Sequence, residues 1–297
     1  MSDPRPGLDP LAGLLATLDL TDTGARTDED IFTGPSQWMP GGRVFGGQVY
    51  AQSIMAAIRT TPPDRAIHST HGYFLRPGDA SAPITFSVDR IHDGRSFSTR
   101  RTQAYQNGVP ILSMIASFQD HDPGLEHQLD APEGVTPPED LPSAAEVLGP
   151  IDHPVAQFWA TSRAFDIRHV EQPIYFAADP LERPRQAVWM RTVGPMPDDE
   201  NLHRAALAYA SDYSILEPIL RAHGVAWTHR GLKMASLDHA MWWHRPARVD
   251  DWLLYVQESP TASGGRGLST GRIFTRDGVL VASIAQEGMV RVPELHD

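Results

Sequence analysis

The chain contains no cysteine and only one lysine, Lys233, among its 297 residues. The lack of cysteine excludes disulfides, thiolate metal sites and a cysteine nucleophile. No stretch approaches the roughly 20 apolar residues that a membrane-spanning helix requires. The N-terminus lacks the basic segment of a secretory signal, and the last three residues are neither a peroxisomal nor a retention signal. We therefore expect a cytoplasmic protein without a membrane span.

Motifs for phosphate binding and for a serine nucleophile are also missing. The glycine cluster between Gly41 and Gly47 lacks the Lys-Ser/Thr ending of a phosphate loop and the G-x-G-x-x-G spacing. The sequence has no G-x-S-x-G nucleophile elbow. The formal net charge of −12 argues against broad binding to nucleic acid or to an anionic membrane. It leaves room for an anionic small molecule, which needs only a local basic patch.

The spacing of apolar residues predicts three helices and two sets of strands. Helical spacing predicts helices near 11–18, at 49–58 and at 205–220. Extended segments are expected at 31–33, 84–89, 97–105, 109–118, 165–170, 186–193, 233–243, 252–258, 271–275 and 279–285. Two dipeptides, Asn107-Gly108 and Asp277-Gly278, separate neighbouring strands and predict tight hairpin turns.

The two halves of the chain match each other at an offset of 169 to 170 residues. HSTHGYFLRPGD at 68–79 corresponds to LDHAMWWHRPAR at 237–248, and QNGVPILSMIASF at 106–118 corresponds to RDGVLVASIAQEG at 276–288. Each half runs from a helix into antiparallel strands. A helix that is apolar nearly all round requires an enclosing sheet. We therefore predict an α+β fold of two repeats, each a central helix wrapped by a curved antiparallel sheet, with the sheets joined side by side.

The segment between the repeats is rich in proline and acidic residues and shows no periodicity over 120–150. This composition is typical of a linker. We predict an N-terminal repeat at 1–120, a linker ending in a short helix at 121–164, and a C-terminal repeat at 165–297. The candidate functional residues lie in the last of these.

Ser211 and Asp212 lie in the middle of the apolar run AALAYASDYSIL. A carboxylate in such a run must find partners or take up a proton, because burying it alone is costly. One interpretation is structural, with Ser211 or Asp212 capping a helix that begins there. The other is catalytic. A second candidate, Gln286, aligns with Ala116 of the first half inside otherwise apolar strand sequence, which suggests that only one half needs an amide there. The alternative is a hydrogen-bonded glutamine near a strand end.

Five segments closely resemble the bacterial acyl-CoA thioesterase II family: GGRVFGGQVYAQ, HGYFLRPGD, AYASDYSIL, LDHAMWWHRP and VASIAQEG. The likeness extends from about residue 11 to about residue 291 in the same order, and it is weak across the linker. The resemblance implies a double hotdog fold, in agreement with the duplication described above. It also implies hydrolysis of acyl-CoA to a free acid and CoA.

The resemblance further implies a water held by an aspartate, a hydroxyl residue and a glutamine. Matched by motif, these residues are Asp212, Ser236 in MASLDH, and Gln286. Some relatives have threonine at the position of Ser236, and serine keeps the hydroxyl. No cofactor and no metal are expected. The expected partner is the acyl-CoA substrate, and joined hotdog units often associate, so we expect a homo-oligomer.

These residue types suit thioester hydrolysis. The leaving thiol has a pKa of about 8.5, so it departs without a strong general acid. An enclosed Asp212 would have a raised pKa and act as a better base, while Ser236 and Gln286 orient the water. The oxyanion would need a backbone N–H donor, and a helix N-terminus is the expected source. We expect direct hydrolysis without an acyl-enzyme.

Other polar residues offer further candidates. The histidines that flank the repeated Arg-Pro motif are interpreted as hydrogen-bonding rather than metal-binding residues: His68, His71, His239 and His244. Five arginines could contact the phosphates of CoA, but the sequence singles out none of them: Arg43, Arg76, Arg95, Arg245 and Arg266.

Two rival functions remain. A hotdog enoyl-CoA hydratase would need a histidine soon after the aspartate, and the next one here is His223. A non-catalytic acyl-CoA binding module would not need the polar trio.

Overall fold

The computed structural model describes residues 9–25 and 27–292. This part of the chain forms six α-helices: α1 (Pro10–Leu18), α2 (Gly46–Ile58), α3 (Ala144–Leu148), α4 (Pro154–Thr161), α5 (Glu200–Ser211) and α6 (Glu217–Arg221). The first half contributes six strands: β1 (Thr21–Asp22), β2 (Asp30–Gly34), β3 (Arg65–Phe74), β4 (Ile84–Asp93), β5 (Phe97–Gln106) and β6 (Val109–Asp120). The second half contributes seven: β7 (Phe165–His169), β8 (Arg185–Thr192), β9 (Lys233–Ser236), β10 (Asp238–Trp243), β11 (Leu253–Ser263), β12 (Arg266–Thr275) and β13 (Leu280–Arg291).

All thirteen of these strands join one antiparallel sheet. Its order is β1-β2-β4-β5-β6-β3-β10-β13-β12-β11-β8-β7, and β9 pairs with the end of β13. The two halves meet where β3 lies beside β10, with Ala240 opposite His71. These two residues are counterparts in the internal repeat, so a local twofold axis passes between them. The predicted joining of two sheets side by side is confirmed.

Two helices, α2 and α5, fill the space inside the curved sheet. Residues 47–57 of α2 and 205–211 of α5 are buried without interruption, as expected for a helix enclosed on all sides. The two helices cross closely because a glycine lies at the contact. A β-carbon at Gly47 would lie 2.4 Å from the Tyr209 carbonyl oxygen, which no side chain allows.

The prediction of a single helix over 205–220 is wrong. Helix α5 ends at Ser211, Asp212 is its C-cap residue, and α6 begins only at Glu217. Pro218 explains the break, because it has no N–H to donate and its ring clashes with the preceding helical turn. The interpretation of Ser211 or Asp212 as the N-cap of a following helix is also wrong, since the N-cap of α6 is Leu216.

The strand predicted over 233–243 is interrupted. Leu237 separates β9 from β10, and its carbonyl oxygen accepts a hydrogen bond from the Phe74 N–H of the first half. This bond ties the two repeats together beside the end of β9. Ser236 is therefore the last residue of a short strand rather than the middle of a long one.

The predicted linker packs against the second half of the sheet. Val135 and Leu141 cover an apolar cluster around Trp189 on the outer sheet face, and the Trp189 Nε1–H donates to the Thr136 carbonyl oxygen. Helix α3 begins with a capping box formed by Ser143 and Glu146. The short helix expected before 165 is α4. These contacts give the segment a fixed position beside the second repeat.

Among the described residues, none of the helices is long and apolar enough to cross a membrane. The sequence expectations about the two chain ends concern residues 1–8 and 293–297, which lie outside the described residues.

Candidate active site

Three side chains from three elements meet at the C-terminal end of α5. The Gln286 Nε2 amide donates hydrogen bonds to Asp212 Oδ1 and to Ser236 Oγ, each over 2.8 Å. The Ser236 hydroxyl donates to the same Asp212 oxygen over 3.2 Å. The structure thus brings together all three residues that the sequence places in the site.

Local backbone structure explains how the three side chains converge. Asp212 is the C-cap residue of α5, so its side chain lies at the end of the helix. Ser236 lies opposite Gly288 where β9 pairs with β13. Gln286 is two residues earlier on β13, and the alternation of a strand points its fully buried side chain toward the same helix end.

The buried environment of Asp212 raises the pKa of its carboxyl group. Burial raises the pKa of Asp212 to about 6, although hydrogen bonds from Gln286, Ser236 and the Gly47 backbone N–H act in the opposite direction. The carboxylate is therefore largely ionised at neutral pH, yet it is a stronger base than an exposed aspartate.

A cavity of about 810 Å³ opens in front of Asp212 and Ser236. Its walls are mainly apolar and come from both repeats and from the segment between them. Representative wall residues are Val49, Phe74, Leu148, Ala156, Trp159 and Leu216. A largely apolar enclosure with a few polar groups at one point is typical of a small-molecule site, and here it suits an alkyl chain.

The N-terminus of α2 faces the carboxylate. A β-carbon at Gly46 would lie 2.6 Å from Asp212 Oδ2, so glycine is required for this close approach. The N-cap residue is Phe45, whose apolar side chain cannot accept a hydrogen bond from the first helical turn. The Gln48 N–H donates to the Phe45 carbonyl oxygen, and the Gly47 N–H donates to the Asp212 carboxylate, whose negative charge a helix N-terminus favours.

His239 also contacts this cluster, although the sequence pattern does not place it there. Its ring is buried on β10, with Nδ1 against Gln286 Oε1 and Nε2 3.0 Å from Ser211 Oγ. Burial lowers the pKa of His239 to about 4, so the ring is neutral at physiological pH. A signal was available, because the internal repeat aligns His239 with Thr70 in the same way that it aligns Gln286 with Ala116.

The other three candidate histidines lie outside this cluster. His68 and His244 each contact a serine hydroxyl on the neighbouring strand, over 2.9 Å. The His71 ring packs edge-on against Trp242. Across residues 9–25 and 27–292, His, Cys, Asp and Glu side chains do not come together in any group of three that could hold a metal ion.

Two of the five candidate arginines, Arg43 and Arg76, line the cavity. The remaining candidates have other surroundings. Arg245 donates to the Leu280 carbonyl oxygen and Arg266 pairs with Glu287 over 3.0 Å. Arg95 lies in the turn between β4 and β5.

The continuous sheet around two central helices defines a double hotdog protein. Comparison with known proteins identifies the family. The chain matches the family model of acyl-CoA thioesterase over residues 159–289 and that of the acyl-CoA thioesterase N-terminal domain over residues 34–119. It is 38% identical to acyl-CoA thioesterase 2 of Haemophilus influenzae over 275 residues, which cover 91% of this chain and 95% of that protein.

Solved structures agree with these matches. The acyl-CoA thioesterase II TesB2 of Mycobacterium marinum is 41% identical, with a TM-score of 0.77 over 95% of this chain and 100% of that chain. A protein with a hot dog fold from Alicyclobacillus acidocaldarius shares the fold at 19% identity, with a TM-score of 0.75 over 95% of this chain and 98% of that chain. The chain therefore belongs to the acyl-CoA thioesterase II family. The predicted family, double hotdog fold and enzyme class, an acyl-CoA thioesterase, are confirmed.

Proposed function

We propose that the enzyme hydrolyses fatty acyl-CoA to a fatty acid and CoA by direct attack of a water held by Asp212, Ser236 and Gln286. One observation supports this mechanism above the others. The Asp212 carboxylate has a pKa raised to about 6 and is held by an amide and a hydroxyl at the wall of a large apolar cavity. A base so placed can deprotonate a water beside a thioester that is bound in the cavity.

The proposed reaction has two steps, attack by water and departure of the thiolate. The water oxygen attacks the thioester carbonyl carbon while Asp212 accepts its proton, and the C–S bond then breaks to release CoA as a thiolate. The proton held by Asp212 passes to solvent or to the thiolate, which restores the base. Ser236 and Gln286 fix the positions of the carboxylate and the water before the reaction. Reaching the transition state therefore requires little further loss of freedom of motion.

The oxyanion is stabilised by the first turn of α2 in this proposal. The donor we propose is the Gly46 N–H at the helix N-terminus that faces Asp212, since the Gly47 N–H already donates to the Asp212 carboxylate. Loss of one such donor typically costs about 10²–10³ in rate. The N-terminal repeat thus supplies backbone donors, and the C-terminal repeat supplies the reacting side chains. This division of roles follows the predicted boundaries of 1–120, 121–164 and 165–297, with the middle segment adding Leu148, Ala156 and Trp159 to the cavity wall.

Two further features stay predictions. We propose a cytoplasmic location, which the absence of cysteine favours. We also propose that the double hotdog subunits form a homo-oligomer, and light scattering on the purified protein tests this. Fatty acid metabolism is the setting that the proposed reaction implies.

The decisive experiment measures free thiol release from acyl-CoAs of short to long chain. We expect the native protein to release thiol and Asp212→Asn to lose about 10²–10⁴-fold in kcat, the usual contribution of a general base. The native rate should fall about tenfold per pH unit below pH 6, because the protonated carboxyl cannot accept the proton of water. Asp19→Asn is the matched control, since this exposed carboxylate lies at the equivalent end of the other repeat.

Each contrary outcome has a distinct meaning. Full activity of Asp212→Asn would show that the base lies elsewhere. An acyl group trapped on Ser236 in a single turnover would replace direct hydrolysis by covalent catalysis. Saturable binding of acyl-CoA without thiol release would indicate the binding module, and loss of enoyl absorbance without thiol release would indicate the hydratase.

A further inference from the structure

We propose that His239 is a positioning residue for the reaction, which it serves by fixing the orientation of the Gln286 amide toward Asp212. This inference rests on the proposed function. His239 acts through Gln286, because its ring lies on the opposite side of that amide from Asp212. It is a buried residue that sequence reasoning assigned only a general hydrogen-bonding role.

The Gln286 amide has two chemically different ends, an NH₂ group that donates hydrogen bonds and a carbonyl oxygen that accepts them. Gln286 can help an ionised Asp212 only when its NH₂ group, and not its carbonyl oxygen, faces the carboxylate. A buried amide keeps one orientation only if both ends have suitable partners. The NH₂ end meets Asp212 and Ser236, and the oxygen end meets His239 Nδ1. His239 must therefore donate from Nδ1 to hold the productive orientation.

The tautomer of His239 is in turn fixed by Ser211. The neutral ring carries one proton, so Nε2 must accept when Nδ1 donates. The Ser211 hydroxyl, 3.0 Å away, is the donor that Nε2 requires. This hydroxyl also lies 2.8 Å from the Ala208 carbonyl oxygen. If it donated there instead, two lone pairs would face each other between Ser211 and His239. The chain of donors thus runs from Ser211 through His239 and Gln286 to Asp212.

The internal repeat provides independent support. In the first half, Thr70 stands at the position of His239 and Ala116 at the position of Gln286. These two residues are directly opposite each other in the β3–β6 ladder, so they are neighbours as His239 and Gln286 are. Both members of the pair therefore differ together between the repeats. A histidine needed only to fill the core would not have to change with its glutamine.

The test compares two substitutions in two backgrounds. His239→Leu removes the donor at similar size, whereas His239→Asn keeps an N–H close to the Nδ1 position. We expect His239→Leu to lower kcat about 30-fold, with KM within about threefold, because a misaligned group costs up to about 10² in rate. His239→Asn should stay within about fivefold of native kcat. In the Gln286→Ala background, His239→Leu should have no further effect on kcat.

A second route guards against a folding defect in His239→Leu. Ser211→Ala removes a single oxygen and frees the tautomer, and it should lower kcat about fivefold in the native background and not at all with Gln286→Ala. The inference is overturned if His239→Leu keeps native kcat, if His239→Asn is no better than His239→Leu, or if either loss persists without Gln286. A native enzyme that releases no thiol would instead reject the proposed function itself.

Discussion

The two repeats carry residues of opposite charge at the equivalent ends of their central helices. Helix α5 ends in the C-cap Asp212, and helix α2 ends in the C-cap Arg59. Arg59 pairs with Asp19 over 2.7 Å and donates to the Leu20 carbonyl oxygen. Its guanidinium group therefore makes structural contacts. At the corresponding strand positions, Gln286 is matched by Ala116 and Ser236 by Ile67.

The facing helix ends differ in the same sense. The N-cap of α5 is Asp199, whose carboxylate accepts hydrogen bonds from the Asn201 and Leu202 N–H groups. The N-cap of α2 is Phe45, which makes no side-chain hydrogen bond to the first turn. The N-terminus of α2 faces Asp212, and it is the one to which we assign the oxyanion in the proposed mechanism.

Helix α1 occupies part of the space that the cavity occupies in the other repeat. Leu14 and Leu18 are fully buried in the core, and the Gln52 side chain of α2 donates to the Thr17 carbonyl oxygen over 3.0 Å. A smaller cavity of about 560 Å³ lies there, between α1 and the ends of α2 and α5. The larger cavity of about 810 Å³ thus belongs to the repeat that carries Asp212, while α1 fills part of the equivalent space in the other.

We expect the largest effects from two separate substitutions at the equivalent positions of the repeats, Gln286→Ala and Ala116→Gln. Gln286→Ala should lower kcat about 100-fold through loss of orientation at Asp212. Ala116→Gln should cost about 4 kcal/mol in unfolding free energy, because it overfills a core position and buries an unpartnered amide. Thiol release at saturating substrate and urea unfolding measure the two effects. A tolerated Ala116→Gln would mean that the first repeat retains room for a site.

Shortening a buried side chain of α1, the helix that packs over the first repeat, should have the next largest effect on stability. Leu14→Ala should lower the unfolding free energy by about 3 kcal/mol, since a fully buried leucine leaves a cavity. The kcat of the enzyme should not change. Leu15→Ala, at a partly exposed position of the same helix, is the control and should cost about 1 kcal/mol. A fall in kcat with Leu14→Ala would show that the packing of α1 in the first repeat affects the catalytic rate.

The two C-cap residues should affect stability with opposite signs. The folded-state pKa of Asp212 is about 6 against an ordinary 3.8, so the native protein loses stability as pH rises through this interval. Asp212→Asn should therefore stabilise the protein by about 2 kcal/mol at pH 8, and the gain should shrink toward pH 4. Arg59→Gln should instead cost less than about 1 kcal/mol at both values, because its ion pair is largely exposed. Urea unfolding at several pH values would contradict this if Asp212→Asn were destabilising at pH 8.

The smallest effect concerns cavity shape. Ala156 of α4 is buried at the cavity wall, and Ala156→Phe should reduce kcat/KM for the longest accepted acyl chains about tenfold, without a change for short chains. Ala16→Phe, which lines the smaller cavity of the first repeat, should leave the chain-length profile unaltered. Equal losses for short and long chains with Ala156→Phe would exclude α4 from the acyl-binding wall.

Local patterns accounted for much of the fold. The Asn107-Gly108 turn has positive φ angles of 51° and 75°, as its hairpin requires, and Gly278 has a φ of 89° in the second hairpin. The break after Asp212 was missed because apolar spacing continues through it, although Pro218 was a visible stop signal. Helix α3 is not predicted from the sequence, because it is short, and packing against the sheet rather than periodicity stabilises it.

The amino-acid sequence by itself indicated the duplication, the central helices, the hairpins and the candidates Asp212 and Gln286, and the resemblance to the family added Ser236. Only the tertiary structure decided which further groups join them. Gly46 lies 166 residues before Asp212 in the chain, and His239 lies 47 residues before Gln286, so no local pattern places either pair in contact. The cavity depends on the same long-range packing, because its walls come from both repeats and the segment between them. Burial by these distant elements raises the pKa of Asp212, and that property belongs to the folded protein alone.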